Sequence, residues 1–149
     1  MSAGIVIRRG KLEEIIDLRW KILRAGLPRE TAYFDGDREE TTRHFVAASD
    51  GEIFGCVTIL RRAWQDKPAW QLRGMAVDTG LQRTGIGRRL LAEVERTVRA
   101  EKFSLQLWCN ARTSATLFYR KLGWQIVGEQ FAIPSAGPHY KMTRLLTDE

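Results

Sequence analysis

Two hydrophobic periods alternate along this chain, and each change of period marks an element. Leu12, Ile15, Ile16, Arg19, Trp20 and Leu23 recur at helical spacing, which predicts a helix over 11–24 with a broad apolar face. Gly26-Leu27-Pro28 ends it. Ile86, Leu90, Val94 and Val98, with Leu91 beside them, predict a second helix. Short apolar and β-branched runs bounded by turn residues predict strands at 4–8, 44–48, 53–61 and 70–77. Ser49-Asp50-Gly51-Glu52 reads as a hairpin turn, and Gln65-Asp66-Lys67-Pro68 turns the chain into the last of these strands. The polar stretch 29–42 has a turn at Asp35-Gly36-Asp37 and a short helix around 38–43. Further on, Leu105 and Leu107 alternate with Gln106 and Trp108, giving a strand over 103–109. Thr113 is placed to cap the next helix, Ala115, Phe118 and Leu122 form its inner face, and Gly123 ends it. Strands at 124–131, with a bulge at Gly128, and at 139–145 flank a loop at 134–138. The order of elements predicts an α/β chain with a mixed, mostly antiparallel sheet.

A chain of 149 residues is long enough to bury a core of its own, so a single domain over 1–149 is expected. The formal net charge of +6 is compatible with nucleic acid, but no basic run or aromatic-interleaved basic patch accompanies it, and a strongly anionic small ligand accounts for the tilt as well. Cys56 and Cys109 each sit in an apolar run, as buried free thiols do. Two histidines without a Cys/His cluster offer no zinc site, so no metal is expected. The opening MSAGIVIRRG lacks the apolar stretch of a signal peptide, and no apolar run is long enough to span a membrane. A cytoplasmic protein with no nucleic-acid or membrane partner is the expectation. Oligomeric state stays open, a homodimer through sheet edges included.

The stretch 70–98 carries the chemistry. Leu72, Met75 and Val77 give its strand, Gly80, Gly85 and Gly87 puncture the loop that follows, and the amphipathic helix comes next. Such a loop leaves N–H groups unpaired at the positive end of a helix dipole, which suits a phosphate or pyrophosphate. Gly80 and Gly85 have P-loop spacing, but Ile86 and Gly87 stand where Lys and Ser/Thr are needed. Gly85 and Gly87 begin a dinucleotide fingerprint, but Leu90 occupies its third glycine position.

What remains, Gln82-Arg83-Thr84-Gly85-Ile86-Gly87, resembles the Q/R-x-x-G-x-G/A signature of the GNAT family of N-acetyltransferases. Phe118-Tyr119-Arg120-Lys121-Leu122-Gly123-Trp124 is similar to that family's FYxKxGF pattern, and the resemblance extends over nearly the whole chain. It implies the GNAT acyl-CoA N-acyltransferase fold: a mixed sheet of about seven strands, about four helices, and two central parallel strands splayed apart, here those ending at Val77 and Cys109. It implies acetyl-CoA as co-substrate, held by Gln82, Arg83, Thr84, Gly85, Ile86 and Gly87, with Met75, Ala76 and Val77 pairing with the pantetheine arm and offering an N–H to the developing oxyanion. Tyr119 falls where the family places its general acid; its alternative is packing beside Phe118.

The acceptor side departs from the pattern. Many members carry a glutamate base four residues before the position of Val77, where this chain has Arg73. Arg73 either holds a carboxylate or phosphate of the substrate or is a strand-surface arginine. His139, in a tail similar to one branch of the family, either acts as the base, directly or through water, or serves the loop and core; His44 is a weaker candidate. Asp35 and Asp37 read as a solvated turn or as ligands for a cationic acceptor. Arg112 stands where many members have an Asn, so Asn110 is not carried over as a CoA ligand. Tyr33, Phe34, Trp64 and Trp70 are candidates for a pocket or for core and rim packing. The expected activity is acetyl transfer to a small amine, with one bearing an acidic group near Arg73 among the options. Protein N-terminal or lysine acetylation and a non-catalytic CoA-binding domain are the alternatives.

Overall fold

The computed structural model describes residues 4–148, and over them seven strands join in one sheet. In chain order the elements are β1 (Val6–Gly10), α1 (Leu12–Leu23), β2 (Arg43–Ser49), β3 (Glu52–Arg61), β4 (Trp70–Val77), α2 (Ile86–Glu101), β5 (Gln106–Arg112), α3 (Thr116–Lys121), β6 (Gln125–Ile133) and β7 (Gly137–Leu145). Across the sheet they run β1-β2-β3-β4-β5-β7-β6. Neighbours are antiparallel except β4 and β5, which are parallel. That pair is joined only at Trp70 with Leu107 and Gln71 with Trp108, and beyond these residues the two strands part.

Each face of the sheet is covered by helix. On one face α2 and α3 pack over Phe45, Val57, Trp70, Leu72, Leu107 and Met142, with Leu90, Val94 and Val98 pointing down from α2. On the other, Leu12, Ile15 and Ile16 of α1 meet Val46, Cys56 and Ala76. The spacing of the apolar residues in β4 shows how one strand serves both layers. Leu72 and Met75 are three apart yet pack on the α2 face, because the ladder with β3 takes an extra residue between the Thr58–Arg73 and Cys56–Ala76 pairs. Gly74 sits in this bulge with φ +69°, and Arg73 and Ala76 are left on the α1 face.

Several expectations are corrected. The sheet and its splayed pair are as anticipated, but there are three α-helices rather than four among the described residues. The short helix expected around 38–43 is a series of turns, tied by the Thr42 hydroxyl donating to the Gly36 carbonyl at 2.7 Å, and Arg43 already belongs to β2. Arg29–Ala32 forms a 3-10 turn instead. The strand placed at 103–109 lies at Gln106–Arg112, so the splayed pair ends at Val77 and Arg112, not Cys109. Phe103 and Leu105 still pack against the core. Thr113 opens a 3-10 turn rather than capping α3 with its side chain. Gly128 sits within the irregular part of the β6–β7 ladder at φ +81°, as the bulge reading expects. No helix among the described residues is long and apolar enough to cross a membrane.

Candidate active-site cleft

Where β4 and β5 part, a cleft of about 1090 Å³ passes between the strand ends. Alternation puts Leu107, Cys109 and Ala111 of β5 in the α2-face core, so Trp108, Asn110 and Arg112 face α1. The cleft therefore has one mouth on the α2 face, beside the glycine loop and α3, and one on the α1 face.

At the α2-face mouth, the loop from Asp78 to Gly85 is held by its own side chains. The Asp78 carboxylate accepts from Gly80 N–H at 3.1 Å, Gln82 Nε2 donates to the Val77 carbonyl at 3.1 Å, and the Thr84 hydroxyl donates to the Leu81 carbonyl. Arg83 and Gly85 take left-handed conformations, φ +67° and +91°. Gly85 is the N-cap of α2 and supplies no side-chain acceptor, and the first turn of this 16-residue helix has no acidic residue. A Cβ at Gly85 would meet no atom within 4 Å, so open space fronts the helix N-terminus. At Gly87 a Cβ would lie 3.0 Å from the Phe118 ring, which fixes how closely α2 approaches α3. Free N–H groups, a helix dipole and open space are together what an anion requires.

Tyr119 projects from α3 into the same half of the cleft, with Phe118 and Trp124 edge-on at 5.2 and 5.3 Å. Burial, and next the Cys109 thiol, raise its pKa well above that of a free phenol, so the hydroxyl stays neutral and able to donate. Burial also pushes both Cys56 and Cys109 up to about 12, so neither is an activated nucleophile.

The α1-face mouth rests on a buried polar network. Arg19 is fully buried and grips Asp37 with two nitrogens at 2.7 and 3.0 Å; it also donates to the Ala32 carbonyl at 3.0 Å and to Thr58 Oγ1 at 2.8 Å. His44 bridges Thr58 Oγ1 at 2.8 Å and the Asp37 carbonyl at 3.0 Å. Burial lowers the His44 pKa, and with both ring nitrogens already engaged it is a neutral structural group with no nitrogen free to take a proton. Burial alone would raise the Asp37 carboxyl, but its hydrogen bonds with Arg19, the Arg19 charge, the Phe34 N–H and Arg73 outweigh it, and the net pKa is lowered. Asp37 is thus buried rather than part of a solvated turn, and it faces Arg19 rather than the cleft. The Asp35 side chain is fully exposed.

This network predicts a large stability effect. Asp37→Ala leaves the Arg19 guanidinium buried without its carboxylate and is expected to cost about 3–5 kcal/mol, read from urea unfolding. Because the folded-state pKa of Asp37 is depressed, its contribution is complete above the unfolded value of about 3.9 and is lost as pH falls through the folded one. The wild-type protein should therefore lose more stability on acidification than Asp37→Ala does.

Arg73 lies 3.5 Å from Asp37, donates to the Asp35 carbonyl, and stands 5.5 Å from the Phe34 ring centre. Its guanidinium is at the cleft wall but already engaged within the protein. His139 also lines the cleft and is nearly buried. Its Nδ1 is 2.8 Å from the Gly137 carbonyl, which can only accept, so Nδ1 is the donor of that contact and Nε2 is the ring nitrogen left free.

Of the loop and strand residues singled out from the sequence, Met75, Ala76, Val77, Gln82, Arg83, Gly85 and Gly87 line the cleft with Tyr119. The Ile86 side chain is core, and the Thr84 hydroxyl is turned back into the loop. Phe34 lines the cleft, whereas Trp70 is fully buried core and Trp64 packs on Trp108 at 5.5 Å. Asn110 reaches the cleft but accepts from Lys141 Nζ at 2.8 Å. Sequence reasoning did not single out Arg24 and Arg112 as lining residues, although both are present there. Arg112 stood out only as a departure from a pattern.

Residues 28–137 match the model of an acetyltransferase (GNAT) domain. The chain is 32% identical over 141 residues to the uncharacterised N-acetyltransferase YitI of Bacillus subtilis strain 168, covering 91% of this chain and 92% of that protein. The crystal structure of Escherichia coli ElaA shares the fold with a TM-score of 0.75 at 18% identity, over 94% of this chain and 99% of that one. A GNAT-family acetyltransferase from Elizabethkingia anophelis, crystallised with acetyl-CoA bound, superposes with a TM-score of 0.70 at 18% identity, over 97% of this chain and 99% of that one.

Proposed function

This chain belongs to the GNAT acetyltransferase family, and we propose that it moves an acetyl group from acetyl-CoA to the primary amine of a small acceptor by direct attack in a ternary complex. One observation carries the reading: a single cleft opens on both faces of the sheet, with an anion-binding helix start at one mouth and a separate approach at the other. Two substrates can meet in it without either leaving.

The residues divide the work as follows. The loop Gln82-Arg83-Thr84-Gly85-Ile86-Gly87 would take the pyrophosphate through its backbone N–H groups and the α2 dipole. Beyond Gln71, β4 has no pairing with β5, so the β5-facing backbone groups of Met75–Val77 can receive an extended pantetheine arm as an added strand. One of their N–H groups would then lie against the thioester oxygen as charge develops there. Tyr119, held neutral, donates to the departing thiolate. Nε2 of His139 accepts the proton that the attacking amine loses, directly or through one water. With both cysteines held protonated, an acetyl-cysteine intermediate has no support and direct attack is favoured.

The test is two-substrate initial-velocity kinetics on a panel of amines, following release of free thiol. Intersecting lines are expected. Parallel lines, with an acetylated protein trapped by mass spectrometry, would contradict direct attack. His139→Asn is expected to lower kcat/KM by about a hundredfold with acetyl-CoA affinity retained. An unchanged kcat/KM in that variant would take His139 out of the proton path.

A further inference from the structure

The α1-face mouth has an unusual charge. The cleft is lined by six cationic side chains and by no carboxylate. Arg83, Arg88 and Lys121 come from the loop, α2 and α3, on the side assigned above to a phosphate-bearing co-substrate. Arg24, Arg73 and Arg112 belong to the α1 face. Arg73 has Asp37 as its counter-charge. Among the described residues, Arg24 and Arg112 meet no carboxylate.

The fold nonetheless forces these two together. Arg24 Nη1 and Arg112 Nη2 both donate to the Leu23 carbonyl, at 3.0 and 3.2 Å. Sharing one acceptor puts the two nitrogens within about 6 Å of each other. Arg24 stands 4.8 Å from the centre of the Phe34 ring, which limits its freedom. Phe34 is in turn anchored by its N–H donating to Asp37 Oδ2 at 2.6 Å. Partial burial, then Arg112 and Arg19, lowers the Arg24 pKa, as expected of a cation lacking a counter-charge. Two adjacent, partly immobilised guanidinium forks at the rim of a cleft match the paired oxygens of one anion.

From this geometry we infer that the acceptor is an amine that also carries an anionic group, a carboxylate or a phosphate, clasped by Arg24 and Arg112. The inference rests on the acetyltransferase reading and deepens it. Its second support is position. Arg112 is the direct cross-strand partner of His139 in the β5–β7 ladder, so both side chains stand on one face about 5 Å apart at Cβ. An anion held at Arg112 therefore brings an amine a few bonds away to His139 Nε2, the atom left free by the Gly137 contact. Arg73, engaged by Asp37 and Asp35, positions the Phe34 loop rather than binding the acceptor directly.

The experiment measures thiol release by the full-length protein with acetyl-CoA and matched amine pairs: glycine against glycinamide, 4-aminobutanoate against butylamine, and 2-aminoethylphosphonate against propylamine. The anionic member of at least one pair is expected to have a kcat/KM about 10- to 100-fold higher, the range expected for hydrogen bonds to a charged group. The pair with the larger ratio distinguishes carboxylate from phosphate. Arg24→Gln and Arg112→Gln should each collapse that ratio through KM for the anionic amine, and Arg112→Lys should retain part of it. Ratios near one in the native protein would overturn the inference, as would turnover of neither member by protein that binds acetyl-CoA, or ratios unaffected in folded Gln variants. Failure to bind acetyl-CoA at all would instead strike the acetyltransferase reading itself.

Discussion

Gly85→Glu is expected to weaken acetyl-CoA binding by at least a hundredfold while leaving the protein folded. Three effects add. A side chain is forced to adopt φ +91°, at a cost of about 1–2 kcal/mol in the native state or in loop geometry. The new side chain projects into the open space in front of α2, where no protein atom lies within 4 Å, so it fills the ligand's place rather than disturbing the core. Its carboxylate then satisfies the N–H groups and the dipole that would otherwise receive a phosphate. Gly85→Ala separates these effects, keeping the strain but not the carboxylate, and should lose much less affinity. Calorimetric titration of both variants, with circular dichroism as the folding control, decides it.

Tyr119→Phe should lower kcat by about a hundredfold with acetyl-CoA affinity retained, because it removes only the hydroxyl. The ring is packed between Phe118 and Trp124, and Phe fills the same space, so the melting temperature should hold. The elevated phenol pKa sets the expected pH behaviour. A group that stays protonated through neutral and mildly alkaline pH contributes a constant factor there, so the loss should be uniform across that range. Turnover unchanged at every pH would reduce Tyr119 to a packing residue.

The parts of this site legible in the sequence are those written in a local pattern. The glycine loop, the α2 stripe of Ile86, Leu90, Val94 and Val98, and the aromatic run at 118–124 are each contiguous, and each takes the expected place. Arg19 carried a signal too. A positive charge inside an apolar helical stripe demands a buried acid, and Asp37 is that acid, although Asp35-Gly36-Asp37 reads locally as a solvated turn. The same pinning of Asp37 explains why residues 38–42 turn instead of forming a helix. The three-residue spacing between Leu72 and Met75, with Gly74 between them, marked the bulge in β4, but a bulge shows itself only once β3 is seen to skip a partner. In β5 the alternation that runs on from Phe103 conceals the true start, because ladder pairing begins only at Gln106, opposite Leu145 of β7. Arg24 left no local trace, and Arg112 only a departure from the family pattern. Only the closure of α1 over the end of β5 brings them to one carbonyl.

Calorimetric titration of the purified protein with acetyl-CoA is the most direct test. Saturable binding to one site per chain in the micromolar range is expected, lost in Gly85→Glu. Absence of binding by the native protein would contradict the assignment of the cleft to acetyl transfer, leaving the fold and the family membership standing without the proposed chemistry.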